Sequence, residues 1–249
     1  NRPENPEFQM QIVRLFGNRA LLDDLAQSGE ERLALTGRYN EGGEWWEANR
    51  NNPEALAVAR GFIESSLGQV ANELRVRAQE TGEQGDYLVA AAKYQEYLDK
   101  FPISDDYYEI EWLLADSLRR GGDQRAALKE YESLIKSKDY HPFGDGSLYA
   151  RMIIRSGLLG PEATGGERPA DAVVESSYTT EGGKEIQVYK LADDTKLFIE
   201  AADAVLAHTF SEPKAGVPDM RPDIEANRHA LMYIMGQTLF HHNRFEEAR

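Results

Sequence analysis

The stretch RAQETGEQGDYLVAAAKYQEYLDKFP (residues 77–102) aligns without a gap on LADSLRRGGDQRAALKEYESLIKSKD (residues 114–139). Ala78 matches Ala115, Gly85 matches Gly122, Asp86 matches Asp123, Ala90 matches Ala127 and Tyr94 matches Tyr131, every pair 37 residues apart. Identities recurring at one fixed period are the signature of a repeat architecture, in which one small unit is stacked on copies of itself. Each unit reads as an apolar-periodic helix, a glycine turn and a second amphipathic helix. Gly85 and Gly122 fall where the first helix must stop and reverse, a place suited to left-handed backbone. Asp86 and Asp123 then stand at the expected N-cap of the second helix. The small side chains of Ala90 and Ala127 let paired helices approach closely, and Tyr94 and Tyr131 fill the space one turn on. Pro102, following Phe101, closes the first unit because proline cannot continue a helix.

A small residue, a turn glycine, an alanine and a tyrosine at these offsets resemble the tetratricopeptide repeat. The longer phrase KYQEYLDKFPISDDYYEIEWLLADSLRRGGDQRAALKEYESLI (93–135) is similar to repeats of bacterial cell-envelope tetratricopeptide proteins. These include outer-membrane assembly and Tol-associated lipoproteins. The resemblance covers residues 71–139. It implies an all-α, TPR-like helical solenoid of antiparallel helix pairs that serves as a protein–protein interaction scaffold. It implies a periplasmic or cell-envelope location, with a cytoplasmic one as the alternative.

Working outward, a third match lies in ALMYIMGQTLFHHNRFEEAR (230–249), where Gly236 takes the place of Ala115, Asn243 that of Gly122 and Ala248 that of Ala127. The sequence stops one turn into the second helix of this unit, which predicts that the chain is part of a longer array. The 121 residues from Ala115 to Gly236 leave room for one further repeat with an insertion of roughly 47 residues. Its first helix is expected over 146–158 and its second over 195–210, with Asp193 or Asp194 as N-cap. Between them, alternating apolar residues around Thr180-Glu181-Gly182-Gly183 predict a β-hairpin insertion, and the proline-rich stretch 211–223 predicts a surface loop. Upstream, Ile12, Leu15, Phe16, Leu22 and Leu25 recur at helical spacings with one slip, and Pro53 opens one long helix that runs into the first repeat. The expected organisation is therefore diverged helical repeats over 1–70, two TPR-like repeats over 71–139, a repeat with a long insertion over 140–222 (approximately 159–194 plus the loop 211–222), and the start of a further repeat over 223–249.

Composition excludes several classes of function. The chain has 249 residues, 41% apolar and 29% charged, which suits a globular protein. Forty-three acidic against 28 basic side chains give a formal charge of -15. Such a surface repels phosphate backbones and argues against nucleic acid as a partner; it also serves simple solubility. The absence of cysteine removes disulfides, thiolate metal sites and cysteine nucleophiles. No apolar run is long enough to span a bilayer, so no transmembrane segment is expected. The opening NRPENPEFQMQ does not read as a secretory signal. His141, His208, His229, His241 and His242 lack metal-ligand spacing. The acidic clusters lack the spacing of a calcium loop and suit helix starts. No nucleotide-binding glycine loop and no Gly-x-Ser-x-Gly elbow occurs. No catalytic residue, cofactor or metal is expected.

What remains is binding. If the repeat geometry holds, the first helix of each unit lines a concave groove, placing Arg75, Gln79, Trp112, Asp116, Arg119, Arg120, Tyr233, Gln237, Phe240 and His241 toward a protein or peptide partner. Arg119 and Arg120 beside Trp112 would grip a peptide carboxylate or an acidic segment; the alternative is solvated arginines on a helix face. Trp45-Trp46 is a second candidate anchor, unless at least one of the pair packs into the core. Two other functions stay open: a targeting or regulatory module of a larger enzyme or motor, and an enzyme whose site lies within 159–222.

Overall fold

Asn52 and Pro53 start the longest helix of the chain in the computed structural model, which describes residues 2–17, 22–137, 141–159, 171–210, 212, 219–245 and 247. Side chains are described for all of these except 16, 17, 22–27, 141 and 142. Among these residues the structure is mostly helical, with one small two-stranded sheet. It divides into two compact units, Asn1–Glu130 and Tyr131–Arg249, a coarser division than the repeat boundaries.

Helix α1 (Asn5–Gly17) packs on α2 (Leu22–Arg38). Its buried positions, Pro6, Gln9, Met10 and Val13, follow helical spacing along one face. Ile12 and Leu15, read as part of the helical spacing, are 40% and 63% exposed. They fall outside the stripe that Met10 and Val13 define. Phe16, Leu22 and Leu25 lie outside the described side chains. The five-residue α3 (Glu44–Ala48) follows.

Helix α4 (Pro53–Thr81) is the long helix expected from Pro53. The Asn52 side chain accepts the Ala55 N–H at 3.1 Å, a cap that satisfies one of the orphan donors of the first turn. It ends at Gly82, whose φ of +71° is left-handed and whose N–H returns to the Ala78 carbonyl at 2.9 Å. The turn glycine is therefore Gly82, and Gly85 is a correction to the sequence expectation. Helix α5 (Gln84–Lys100) begins one residue before Gly85, so Gly85 and Asp86 lie in its first turn. Asp86 complements the helix dipole there and accepts from the Thr81 hydroxyl at 3.0 Å, without acting as the N-cap.

Helix α6 (Tyr107–Arg120) and helix α7 (Gln124–Lys136) follow the expectation more closely. Gly122 has φ +88°, and the Asp123 side chain accepts the Ala126 N–H at 3.1 Å as a true N-cap. Gly121 has a separate reason to be glycine, because a Cβ there would lie 2.6 Å from Leu88 Cδ2. Helix α5 packs on α4, and α6 packs on α5. The repeat positions Ala78, Ala90, Ala115, Ala127, Tyr94 and Tyr131 are all sealed from solvent. Burial of a tyrosine-sized ring contributes about 2–3 kcal/mol, and the alanines contribute by letting the helices approach. The first unit's core joins Met10, Val13, Leu35, Trp45, Ile63, Leu67 and Tyr94 with Leu114.

In the second unit α8 (His141–Gly157) starts five residues ahead of the expected 146. The predicted hairpin is present: β1 (Val174–Thr179) pairs antiparallel with β2 (Glu185–Tyr189) in the register Ser177↔Gln187. Gly183 takes the positive φ of its turn, +78°. Helix α9 (Asp193–Ala207) packs on α8 and on α10 (Arg221–His241). Its N-cap residue is Ala192, so Asp193 and Asp194 occupy the first turn instead of the cap, where they oppose the dipole's positive end. Phe198, Ala201, Ala202 and Val205 of α9 form the core with Met152, Ile224, Leu231 and Met235. Most of the proline-rich stretch 211–223 lies outside the described residues, as does Ala248, but its end is not loop: Arg221, Pro222 and Asp223 open α10.

Candidate functional site

Helix α6 places Asp116, Arg119 and Arg120 on one face, at the i, i+3 and i+4 positions that meet across a turn. The Asp116 carboxylate is buried and accepts from Arg119 at 2.7 Å through one oxygen and from Arg120 at 2.8 Å through the other. Arg120 also lies 5.8 Å above the centre of the Tyr87 ring, a cation–π distance. The side chains of Arg119 and Arg120 stay 32% and 42% exposed beside the buried acid. Arg75 on α4 and Asp116 on α6 both act on the Tyr94 hydroxyl of α5. That hydroxyl is buried without a well-formed hydrogen bond among the described residues. Burial pushes its pKa up to about 12, a rise that Arg75 opposes and that Asp116 and Glu109 reinforce.

The structure thus gathers Arg75, Asp116, Arg119 and Arg120 around the α4–α5–α6 surface. Trp112 does not belong to the exposed part of it, being buried with only 9% of its surface accessible. Gln79 is exposed on α4. On α10, Tyr233, Gln237 and Phe240 share a face at i, i+4 and i+7 spacing. Tyr233 and Phe240 are exposed, and Gln237 donates to the Tyr233 hydroxyl at 2.6 Å. His241 meets the Phe240 ring edge-on at 6.0 Å.

Trp45 and Trp46 separate completely. Trp45 is a core residue, its ring edge-on to Tyr39 at 5.2 Å and its indole N–H donating to the Arg2 carbonyl at 2.8 Å. Its burial removes it as a surface anchor. Trp46 is half-buried under the Arg60 guanidinium, 5.8 Å from the ring centre, and Arg60 pairs in turn with Glu41. With Asn40, Lys100 and Phe101 they line a cavity of about 260 Å³.

Two features were not legible in the sequence. Asp145 and His208, 63 residues apart, meet at 2.7 Å, with Phe210 edge-on to the imidazole at 4.8 Å. Arg32 is buried although its neighbour Leu33 is exposed. Among the described residues no group of three or more His, Asp or Glu side chains converges to hold a metal ion, and no helix is long and apolar enough to cross a membrane. No protein-family model matches the chain, and neither a curated protein nor a solved structure matches it significantly.

Proposed function

We propose that this chain is a tetratricopeptide-like scaffold that docks a protein or peptide partner against the surface carrying Arg75, Arg119 and Arg120, within a bacterial cell-envelope assembly. The observation that carries the reading is the repeated pattern itself. Ala78 and Ala115, Ala90 and Ala127, and Tyr94 and Tyr131 recur 37 residues apart, and all six side chains are buried. One helix pair cannot bury its apolar face alone, and stacking copies creates an extended surface suited to binding chains rather than small substrates. The net charge of -15 opposes a nucleic-acid partner. The partly exposed guanidinium groups of Arg119 and Arg120 favour a carboxylate on the partner.

The test is affinity capture from bacterial envelope extracts with the wild-type chain and with an Arg119→Gln/Arg120→Gln variant. Glutamine keeps a donor near Asp116, so the melting temperature should stay within a few degrees. Capture of an acidic partner by the wild type and its loss in the variant supports the proposal. A partner held equally by both proteins, or none held by either, counts against it.

A further inference from the structure

We propose that the cleft between α1, α2 and α4 is a binding site for a monoanionic ligand with an apolar body, an alkyl or aryl carboxylate, whose head group is held by Arg32. The cleft encloses about 700 Å³, within the range of pockets that hold small organic ligands. Met10, Ala57, Val58 and Phe62 give it an apolar wall, while Arg32, with Arg14, supplies positive charge. Glu7, Gly61, Ser65 and Gln69 complete the lining.

Arg32 is the unusual member. It is nine-tenths buried, yet its Nε has no hydrogen-bond partner among the described residues. Glu73 is the carboxylate that acts on it, and it does so through space without an ion pair. That compensation is incomplete from both sides. Desolvation still lowers the pKa of Arg32 against the pull of Glu73, and desolvation still raises that of Glu73 against the pull of Arg32. A buried charge without a hydrogen-bonded partner is costly to keep. Arg32 lines an open cleft of ligand size, so an incoming anion would meet the outer nitrogens of its guanidinium.

The guanidinium fork matches a carboxylate in two parallel hydrogen bonds. A more highly charged anion is disfavoured by the net charge of -15 and by Glu7 in the lining. The apolar wall then selects a ligand whose remainder is hydrocarbon. Gly61 bears on the same point: it lines the cleft in mid-helix, and a Cβ placed on it would meet no atom within 4 Å. Glycine leaves this part of the cleft open, and a large side chain there would fill it.

The experiment is calorimetric titration of the whole chain with decanoate and with decanol, repeated on Arg32→Met and on Gly61→Phe. Decanoate should bind the wild type at least tenfold more tightly than decanol, which has the same chain without the charge. Arg32→Met should lose that preference while melting at the same or a higher temperature, because an unpaired buried cation has been replaced by an apolar side chain of similar length. Gly61→Phe should lose binding of both probes by filling the cleft. The proposal is overturned if decanoate does not bind the wild type, or if Arg32→Met binds it equally well. A melting point for Arg32→Met several degrees below wild type also overturns it, since that result would make Arg32 and Glu73 a structural pair.

Discussion

The Asp116 carboxylate lies 2.7 Å from the Arg119 guanidinium one turn further along α6, and Arg120 holds its other oxygen. The acid is buried while the arginines are 32% and 42% exposed, so the pair is worth more than a surface ion pair and less than a fully desolvated one. Replacing Asp116 by Asn keeps the shape and removes the charge. Asp116→Asn should lower stability by about 1.5–3 kcal/mol, the usual worth of hydrogen bonds to a charged group. Because two arginines share one acid, Arg119→Ala and Arg120→Ala should each cost less than Asp116→Asn. Urea denaturation of the three variants checks this, and an Arg119→Ala loss larger than that of Asp116→Asn would contradict the shared arrangement.

The repeat positions make a sharper test of packing. Ala90 is sealed between helices, whereas Ala92, two residues on in α5, is exposed. Extra methylenes at a close-packed site cost about 1–3 kcal/mol and sometimes more. Ala90→Leu should therefore lower the denaturation midpoint clearly, and Ala92→Leu should change it by less than about 0.5 kcal/mol. Equal effects at the two sites would mean that the register of α5 is wrong.

Gly85 and Gly122 occupy the same place in the repeat but different backbone. Gly122 has φ +88°, where alanine is strained, so Gly122→Ala should cost about 1 kcal/mol or more. Gly85 is helical, and a Cβ there meets nothing within 4 Å. Gly85→Ala should stabilise by about 0.5–1 kcal/mol through helix propensity and a less flexible unfolded chain. Thermal melts of the two variants should shift in opposite directions; shifts of the same sign would refute the assignment of Gly82 as the turn residue.

The same pair shows how far the sequence could be read. Spacing located the helices of the repeat region, α5 to α7, because apolar periodicity survives small errors in register. It found α4 from Pro53 and the β1–β2 hairpin from Gly182-Gly183. It also matched Asn243 to Gly122, and Asn243 takes a positive φ of +57°. It misplaced the first turn because both Gly82 and Gly85 are glycines, and only backbone angles distinguish them. The candidate site was legible to a smaller degree. Arg119 and Arg120 could be placed on a face, but their common acceptor Asp116 reads in sequence as another groove residue. Trp112 and Trp45 look like binding anchors by composition, yet large rings gain most from burial, and both are inside. Arg32 sits in EERLALTGR, where an arginine looks like any solvated helix residue. Its burial depends on α1 and α4 closing over it, which no local pattern encodes.

Tyr94 and Tyr97 give the chain a dependence on high pH. Burial is the leading cause in both, and both phenols are pushed up to about 12. A group whose folded pKa is raised contributes stability that is complete below its unfolded value, near 10, and is lost as pH climbs through the folded value. The fold should therefore keep full tyrosine-linked stability up to about pH 10 and lose it between there and about pH 12. The two residues separate by their partners. Tyr97 is hydrogen-bonded to Glu64 and to Ser104, each at 2.9 Å, whereas the Tyr94 hydroxyl lacks a well-formed bond. Tyr97→Phe should cost about 1 kcal/mol at neutral pH, and Tyr94→Phe should be neutral or slightly stabilising because it removes a poorly satisfied buried hydroxyl. Both variants should flatten the fall in stability above pH 10. Urea melts across pH 7–12, read beside the ultraviolet titration of the phenols, measure all three expectations. A Tyr94→Phe variant with an unchanged alkaline slope would show that the phenol ionises without opposing the fold.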